Sequence, residues 1–221
     1  MGKKLVLIHT VNWFMDLIVK PFVGPMLERH PDLEIFNILD DSLLVDSVKA
    51  GSATENVKRR IVNYAFMAEN AGADVIMVTC TTVNEASRLA RPLIKIPIFN
   101  IDEPMAIEAI KAGSKFGIIG TVPTSPYATQ NLLLETAAQH NKNITTKIVV
   151  KEAAYSALMA GKTEEHNAII METMDQLAKE VDVVLLGQIS LARIVHDPGK
   201  PVLQVGKSGY LEAERLLYGG I

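Results

Sequence analysis

The sequence predicts an α/β protein of two pseudo-symmetric lobes, each a parallel sheet flanked by helices, with a ligand cleft between the lobes. Three observations predict it. Short apolar runs of strand length, rich in Val and Ile, alternate with segments of helical period along the whole chain. The pattern of the first half starts again near residue 115. The run Val75-Ile76-Met77-Val78 is continuously apolar, as in a parallel strand covered on both faces.

The elements follow in order. Lys4 to His9 reads as the first strand. Val11 to Arg29 reads as a helix with Trp13, Phe14, Leu17, Ile18 and Phe22 on an apolar stripe, broken or kinked by Pro21 and Pro25. Leu33 to Leu39 is a strand ending in Asp40, Asp41 and Ser42. Thr54 caps a long helix through Asn70, which Gly72 ends. Asp74 to Val78 is a strand that stops in Thr79-Cys80-Thr81-Thr82, and Asn84 to Ala90 is the helix after it. Pro97 to Ile101 is a strand, and Pro104 to Ala112 its helix.

The second half repeats this plan. Lys115 to Thr121, Ile144 to Val150, Val181 to Gly187 and Pro201 to Val205 read as strands. Tyr127 to His140, Glu164 to Glu180 and Tyr210 to Tyr218 read as helices. Lys4-to-Val11 matches Lys115-to-Val122, Ala73-to-Cys80 matches Val181-to-Gln188, and Ile96-to-Asn100 matches Lys200-to-Gln204. The expected lobes are 1–102, with 206–221 able to pack back onto it, and 103–205. In this alignment Cys80 has Gln188 as its counterpart, and Thr10 has Thr121.

Composition bounds the function. The chain has 221 residues, 48% hydrophobic and 21% charged, with a net charge of -3. It carries no basic patch of the kind nucleic acid requires and no apolar run long enough to span a bilayer. The opening apolar run is short and lacks a cleavage site, so it reads as a strand rather than a signal peptide. One cysteine excludes an internal disulfide and a Cys-rich metal site. His30, His140, His166 and His196 fit no metal spacing, and no Gly-rich dinucleotide fingerprint follows the first strand. These signals together suggest a cytoplasmic protein with no nucleic-acid or membrane partner.

Cys80 is the leading catalytic candidate. It stands at the carboxyl end of a parallel strand, where open α/β sheets bind ligands, and just before a helix N-terminus, which favours a thiolate. The alternative for a lone cysteine is a small buried apolar residue. Thr81, Thr82, Thr121, Ser125 and Tyr127 read either as helix caps or as donors that cradle a carboxylate beside free backbone N–H groups. Gln188 and Ser190 read as substrate ligands or as structural groups at a strand end. His9 is a possible second acid/base, or a structural histidine. Asp40 and Asp41 reach either the site's rim or solvent.

Cys80-Thr81-Thr82, the turn Ile119-Gly120-Thr121-Val122-Pro123-Thr124-Ser125-Pro126-Tyr127 and the duplicated lobes resemble the aspartate/glutamate/hydantoin racemase superfamily. The segment Leu186-Gly187-Gln188-Ile189-Ser190-Leu191-Ala192-Arg193 is similar to a branch with Gln in place of the second-lobe cysteine. The resemblance implies a cofactor-independent enzyme that moves a proton at the carbon next to a carboxylate, using one cysteine from each lobe. Here the first thiol is Cys80, and the second position holds an amide, which is no general base near neutral pH. After the first strand the chain has His9-Thr10-Val11-Asn12, where the amino-acid racemases carry an acid and a serine. By position Thr10 and Asn12 join the substrate-binding set. The expected function is therefore a racemase or isomerase acting on a small carboxylic acid through Cys80 alone. A one-thiol decarboxylase or lyase, protonating an enediolate, and a non-catalytic carboxylate binder stay open. Family habit and the apolar first helix suggest a homo-oligomer, dimer or higher.

Overall fold

The structure is a computed structural model that describes residues 2–12 and 20–219. The chain divides into two compact units, Met1–Glu103 with Gly206–Ile221, and Pro104–Val205.

The first unit contains β1 (Lys4–His9), α1 (Lys20–Arg29), β2 (Glu34–Leu39), α2 (Ser42–Ala50), α3 (Glu55–Asn70), β3 (Val75–Val78), α4 (Asn84–Ala90) and β4 (Ile98–Asn100). Its four strands run in the order β2-β1-β3-β4, and every neighbouring pair is parallel. The central strand β3, Val-Ile-Met-Val, is buried along its whole length. The edge strand β2 is largely exposed, and Lys4 Nζ covers its Phe36 ring from 4.9 Å. Helix α3 buries Val57, Ile61, Ala65 and Ala68, a stripe at helical spacing, against Val6, Ile8, Ile76 and Val78. The Thr54 hydroxyl accepts from Val57 N at 3.3 Å and so caps α3.

The second unit contains most of α5 (Glu103–Ala112), then β5 (Lys115–Gly120), α6 (Thr124–Gln139), β6 (Thr145–Val150), α7 (Glu152–Met159), α8 (Thr163–Leu177), β7 (Val183–Leu186) and β8 (Val202–Gln204). Its strands run β6-β5-β7-β8, again all parallel. The repeat extends to side chains. Asp74 Oδ2 accepts from Lys4 N at 2.8 Å, and Asp182 Oδ2 accepts from Lys115 N at 2.9 Å. In each unit a carboxylate ahead of the third strand thus pins the start of the first, and the donated bonds hold both carboxyls below the usual carboxylate range.

Helix α9 (Val205–Tyr218) belongs to the first unit from Gly206 onward. A Cβ at Gly209 would lie 2.4 Å from Ile101 Cγ1 and 2.8 Å from Ile101 O, so only glycine permits this approach. Glu214, 1% exposed, accepts from Arg29 Nε and Nη2 at 2.8 Å each and bonds His30 Nε2 at 2.7 Å.

Several expected bounds move. The helix expected over Val11 to Arg29 is seen as Lys20–Arg29; Val11 and Asn12 are not helical. Trp13, Phe14, Leu17 and Ile18 lie outside the described residues. Helices α2 and α7 were not anticipated, both being short and following an edge strand directly. Helix α9 starts five residues before the expected Tyr210, since Gly206 and Gly209, which read as breakers, lie within it. No helix among the described residues is long and apolar enough to cross a membrane.

Candidate functional site

In a parallel sheet all carboxyl ends lie at one edge. In the first unit that edge gathers His9 and Thr10 after β1, Thr79 and Cys80 after β3, and Ile101 and Asp102 after β4. Cys80 keeps extended backbone (φ -133°, ψ 118°), and Thr81–Val83 then form a 3-10 turn that leads into α4. The turn closes on Cys80 itself, whose carbonyl accepts from Val83 N at 3.3 Å and from Asn100 Nδ2 at 3.0 Å.

The half-buried Cys80 is the one cysteine of the chain. Its sulfur is bonded by the Thr10 side chain and by the backbone N–H groups of Thr82 and Val83. These donors favour the thiolate, as a helix start should. Burial outweighs them and pushes the thiol up, and the Asp102 charge adds in the same direction. The thiolate expected from the helix start is thus disfavoured at neutral pH. The site presents a proton-bearing thiol beside donors that would accept its charged form.

Thr10, Thr81 and Thr82 are buried around this thiol's turn, while Asn12 is exposed. Thr81 Oγ1 is buried with no hydrogen-bond partner among the described residues. His9 is fully buried, with Nδ1 2.8 Å from Thr79 Oγ1 and Nε2 2.8 Å from Asn37 Oδ1. Thr79 Oγ1 also donates to Ile8 O at 3.1 Å, so the ring, the threonine and the backbone of β1 are tied together. Burial pulls its pKa down, opposed by the Asn37 bond. These bonds give His9 a structural task joining β1, β2 and β3.

Asp102 was not singled out by sequence reasoning. It is fully buried; Oδ2 accepts from Asn84 Nδ2 at 3.0 Å, and Oδ1 has no partner among the described residues. Burial, chiefly, pushes its carboxyl up to about 7, with the neighbouring Glu103 charge contributing and the Asn84 bond opposing. Its position at the end of the fourth strand, on the same edge as Cys80, is the signal that could have found it. Asp40 is held in place by its neighbours: Arg60, Tyr64 and Ser42 all donate to its carboxylate.

The second unit builds the corresponding edge from Gly120-Thr121 after β5 and Gly187-Gln188 after β7. Gln188 repeats the Cys80 geometry, with extended backbone (φ -142°, ψ 140°) before a 3-10 turn, Ile189–Leu191. Its Oε1 accepts from Thr121 N and, at 3.1 Å, from Thr121 Oγ1. That leaves the Nε2 end of the amide to donate. Ser125 Oγ donates to Gly187 O at 3.1 Å. Thr121 and Ser125 are buried; Gln188 and Ser190 are half-buried, and Tyr127 is exposed. The structure therefore joins Thr121 to Gln188 directly, ties Ser125 to the preceding Gly187 carbonyl, and leaves Tyr127 and Ser190 outside these bonds. Among the described residues no three His, Cys, Asp or Glu side chains form a group that could hold a metal ion.

Comparison with known proteins places this architecture. Solved structures with the same fold include Picrophilus torridus aspartate racemase (16% identity, 97% of this chain and 93% of that one, TM-score 0.71). Klebsiella pneumoniae allantoin racemase matches at 16% identity over 97% of this chain and 87% of its own, with a TM-score of 0.65. Glutamate racemase from Aquifex pyrophilus matches at 18% identity, 98% and 85% coverage, and a TM-score of 0.64. At such identities these likenesses speak to the fold, and the three neighbours bear three different substrate names. No curated protein sequence matches the chain. The family model for Asp/Glu/Hydantoin racemase matches residues 26–206, most of the chain and both units. The chain belongs to the Asp/Glu/hydantoin racemase family.

Proposed function

We propose that this protein is a cofactor-independent enzyme that moves a proton at carbon in a small carboxylic acid, with Cys80 as its single acid/base thiol. The observation that carries the reading is the environment of the sulfur. A thiol kept protonated by burial, yet bonded by Thr10 and two backbone N–H groups, can give up its proton and have the resulting charge met. Membership of the racemase family supports proton transfer as the reaction class. Thr10, Thr81, Thr82, Thr121, Ser125, Gln188 and Ser190 are proposed as substrate ligands, hydroxyls and amides suited to a carboxylate and to enediolate charge. Asn12 and Tyr127, being exposed, would join only from the rim.

The counterpart of Cys80 is an amide already engaged by Thr121, which favours a second reading. One thiol that donates a proton suffices for a decarboxylase or lyase, where the carbanion arises by loss of a group rather than of a proton. A carboxylate binder without turnover is the third outcome.

Candidate carboxylates incubated with the protein in deuterium oxide distinguish these. Exchange of the proton next to the carboxylate identifies a racemase or isomerase, and carbon dioxide release identifies the decarboxylase. Cys80→Ala abolishes either signal. Binding without either signal, unaffected by Cys80→Ala, supports the binder, and full turnover by Cys80→Ser removes the assignment of the thiol.

A further inference from the structure

We infer that Asp102 is a positioning residue for Cys80: its buried carboxyl, clamped through Asn84 and tied to the Cys80 turn through Asn100, sets by its own protonation how readily the thiol releases its proton. The geometry carries this. The Asn100 side chain links the backbones of the two residues, donating to Cys80 O at 3.0 Å and accepting from Asp102 N at 3.5 Å. Asn84, whose own N–H closes the 3-10 turn after Cys80 by donating to Thr81 O, holds Asp102 Oδ2 at 3.0 Å. Asp102 Oδ1 is then buried with no partner among the described residues. A carboxylate so placed would lack the donors that burial of a charge demands, whereas a neutral carboxylic acid tolerates the site.

The groups around it are few. Arg88 on α4 favours the carboxylate, Glu103 at the start of α5 opposes it, and the Asp102 charge in turn opposes a thiolate at Cys80. From α9 it is Gly209 that abuts the neighbouring Ile101. Asp102 loses its proton near pH 7. Below that pH Cys80 can become a thiolate without meeting a second negative charge; above it, the two compete, and sulfur keeps its proton more tightly. A thiol that must donate during turnover is thereby weakened as pH rises past 7. The consequence for catalysis rests on the proposed role of Cys80, but the coupling of the two groups does not need substrate.

The single cysteine makes the test direct, because carbon-13 label at cysteine Cβ reports only residue 80. In the wild-type protein the Cys80 resonance should show an inflection near pH 7 from Asp102 and a separate thiol titration at higher pH. In Asp102→Asn, which keeps volume and hydrogen-bonding capacity, the first inflection disappears. The acid dissociation constant of the thiol then rises about tenfold, a midpoint about one unit lower. Persistence of the inflection near pH 7 in Asp102→Asn, or an unmoved thiol midpoint, overturns the inference. Should Asp102→Asn fail to fold, carbon-13 label at aspartate Cγ of the wild type decides. Titration of Asp102 near pH 7 supports the proposal, and titration at an ordinary value of about 4 sinks it. Neither reading depends on turnover, so loss of the proposed enzymatic function would leave this result standing.

Discussion

Gly120→Ala tests how tightly the Gln188 edge is assembled. Gly120 ends β5, and a Cβ there would lie 2.6 Å from Pro126 Cδ and 2.8 Å from Pro126 Cγ. Carbon atoms in contact sit at about 3.5–4.0 Å, so the overlap is about 0.9 Å. The proline ring cannot rotate out of the way. The first turn of α6, which carries Ser125 and Pro126, must therefore shift or β5 must bend, and either response costs about 1–3 kcal/mol. The same Cβ would stand 3.2 Å from Gln188 Oε1, so the shift reaches the bonds from Thr121 and the bond from Ser125 Oγ to Gly187 O. Gly117→Ala on the same strand is the control. Its Cβ meets Leu177 Cδ1 at 3.1 Å and Cδ2 at 3.3 Å, the far ends of a side chain that can turn. Urea unfolding followed by circular dichroism measures both variants. With a slope of about 2 kcal/mol/M, Gly120→Ala should unfold about 1 M earlier than the wild type, and Gly117→Ala less than about half of that shift. An unchanged midpoint for Gly120→Ala, or a larger loss for Gly117→Ala, refutes the reasoning.

Two further outcomes are expected from the first unit. Glu214→Gln removes charge-assisted bonds from a buried carboxylate and should cost about 1.5–3 kcal/mol at pH 7, read as a lower thermal midpoint. Arg29, chiefly, holds the Glu214 carboxyl below its ordinary range, so its contribution is present above the unfolded value of about 4.3 and is lost as pH falls through the lower folded value. The gap between wild type and Glu214→Gln should therefore close on acidification, and a constant gap down to pH 2 would count against it. Ile61→Ala opens a cavity in a fully buried position of α3 and should cost about 2–5 kcal/mol by denaturant unfolding. A loss under about 1 kcal/mol would mean that the β3–α3 layer collapses around the gap.

Much of this protein was legible in the amino-acid sequence because its pattern is local. Val75 to Val78 reads as a buried strand from its short length and Val/Ile content, and β3 is buried throughout. The repeat of Lys4-Leu5…Asp74 in Lys115-Phe116…Asp182 foretold two sheets of one strand order, and even the paired carboxylate locks at Asp74 and Asp182 follow from it. The same alignment set Gln188 against Cys80, and both residues take up the same extended backbone before a 3-10 turn.

Other properties depend on which side chains meet across the fold. The sequence showed Cys80 ahead of a helix and so promised a thiolate. Only tertiary packing determines that burial beats the donated bonds and keeps the proton on sulfur. His9 looked like a spare base until Thr79 and Asn37, 70 and 28 residues away in sequence, bonded its two ring nitrogens. Asp102 carried no motif at all; its significance arises because Asn84 and Asn100 converge on it while water is excluded. Backbone preference and apolar period are written residue by residue, so the sequence alone determined the strands, their order and the strand end that bears the thiol. Charge state depends on solvation and on partners distant along the chain, and that only the tertiary structure decided.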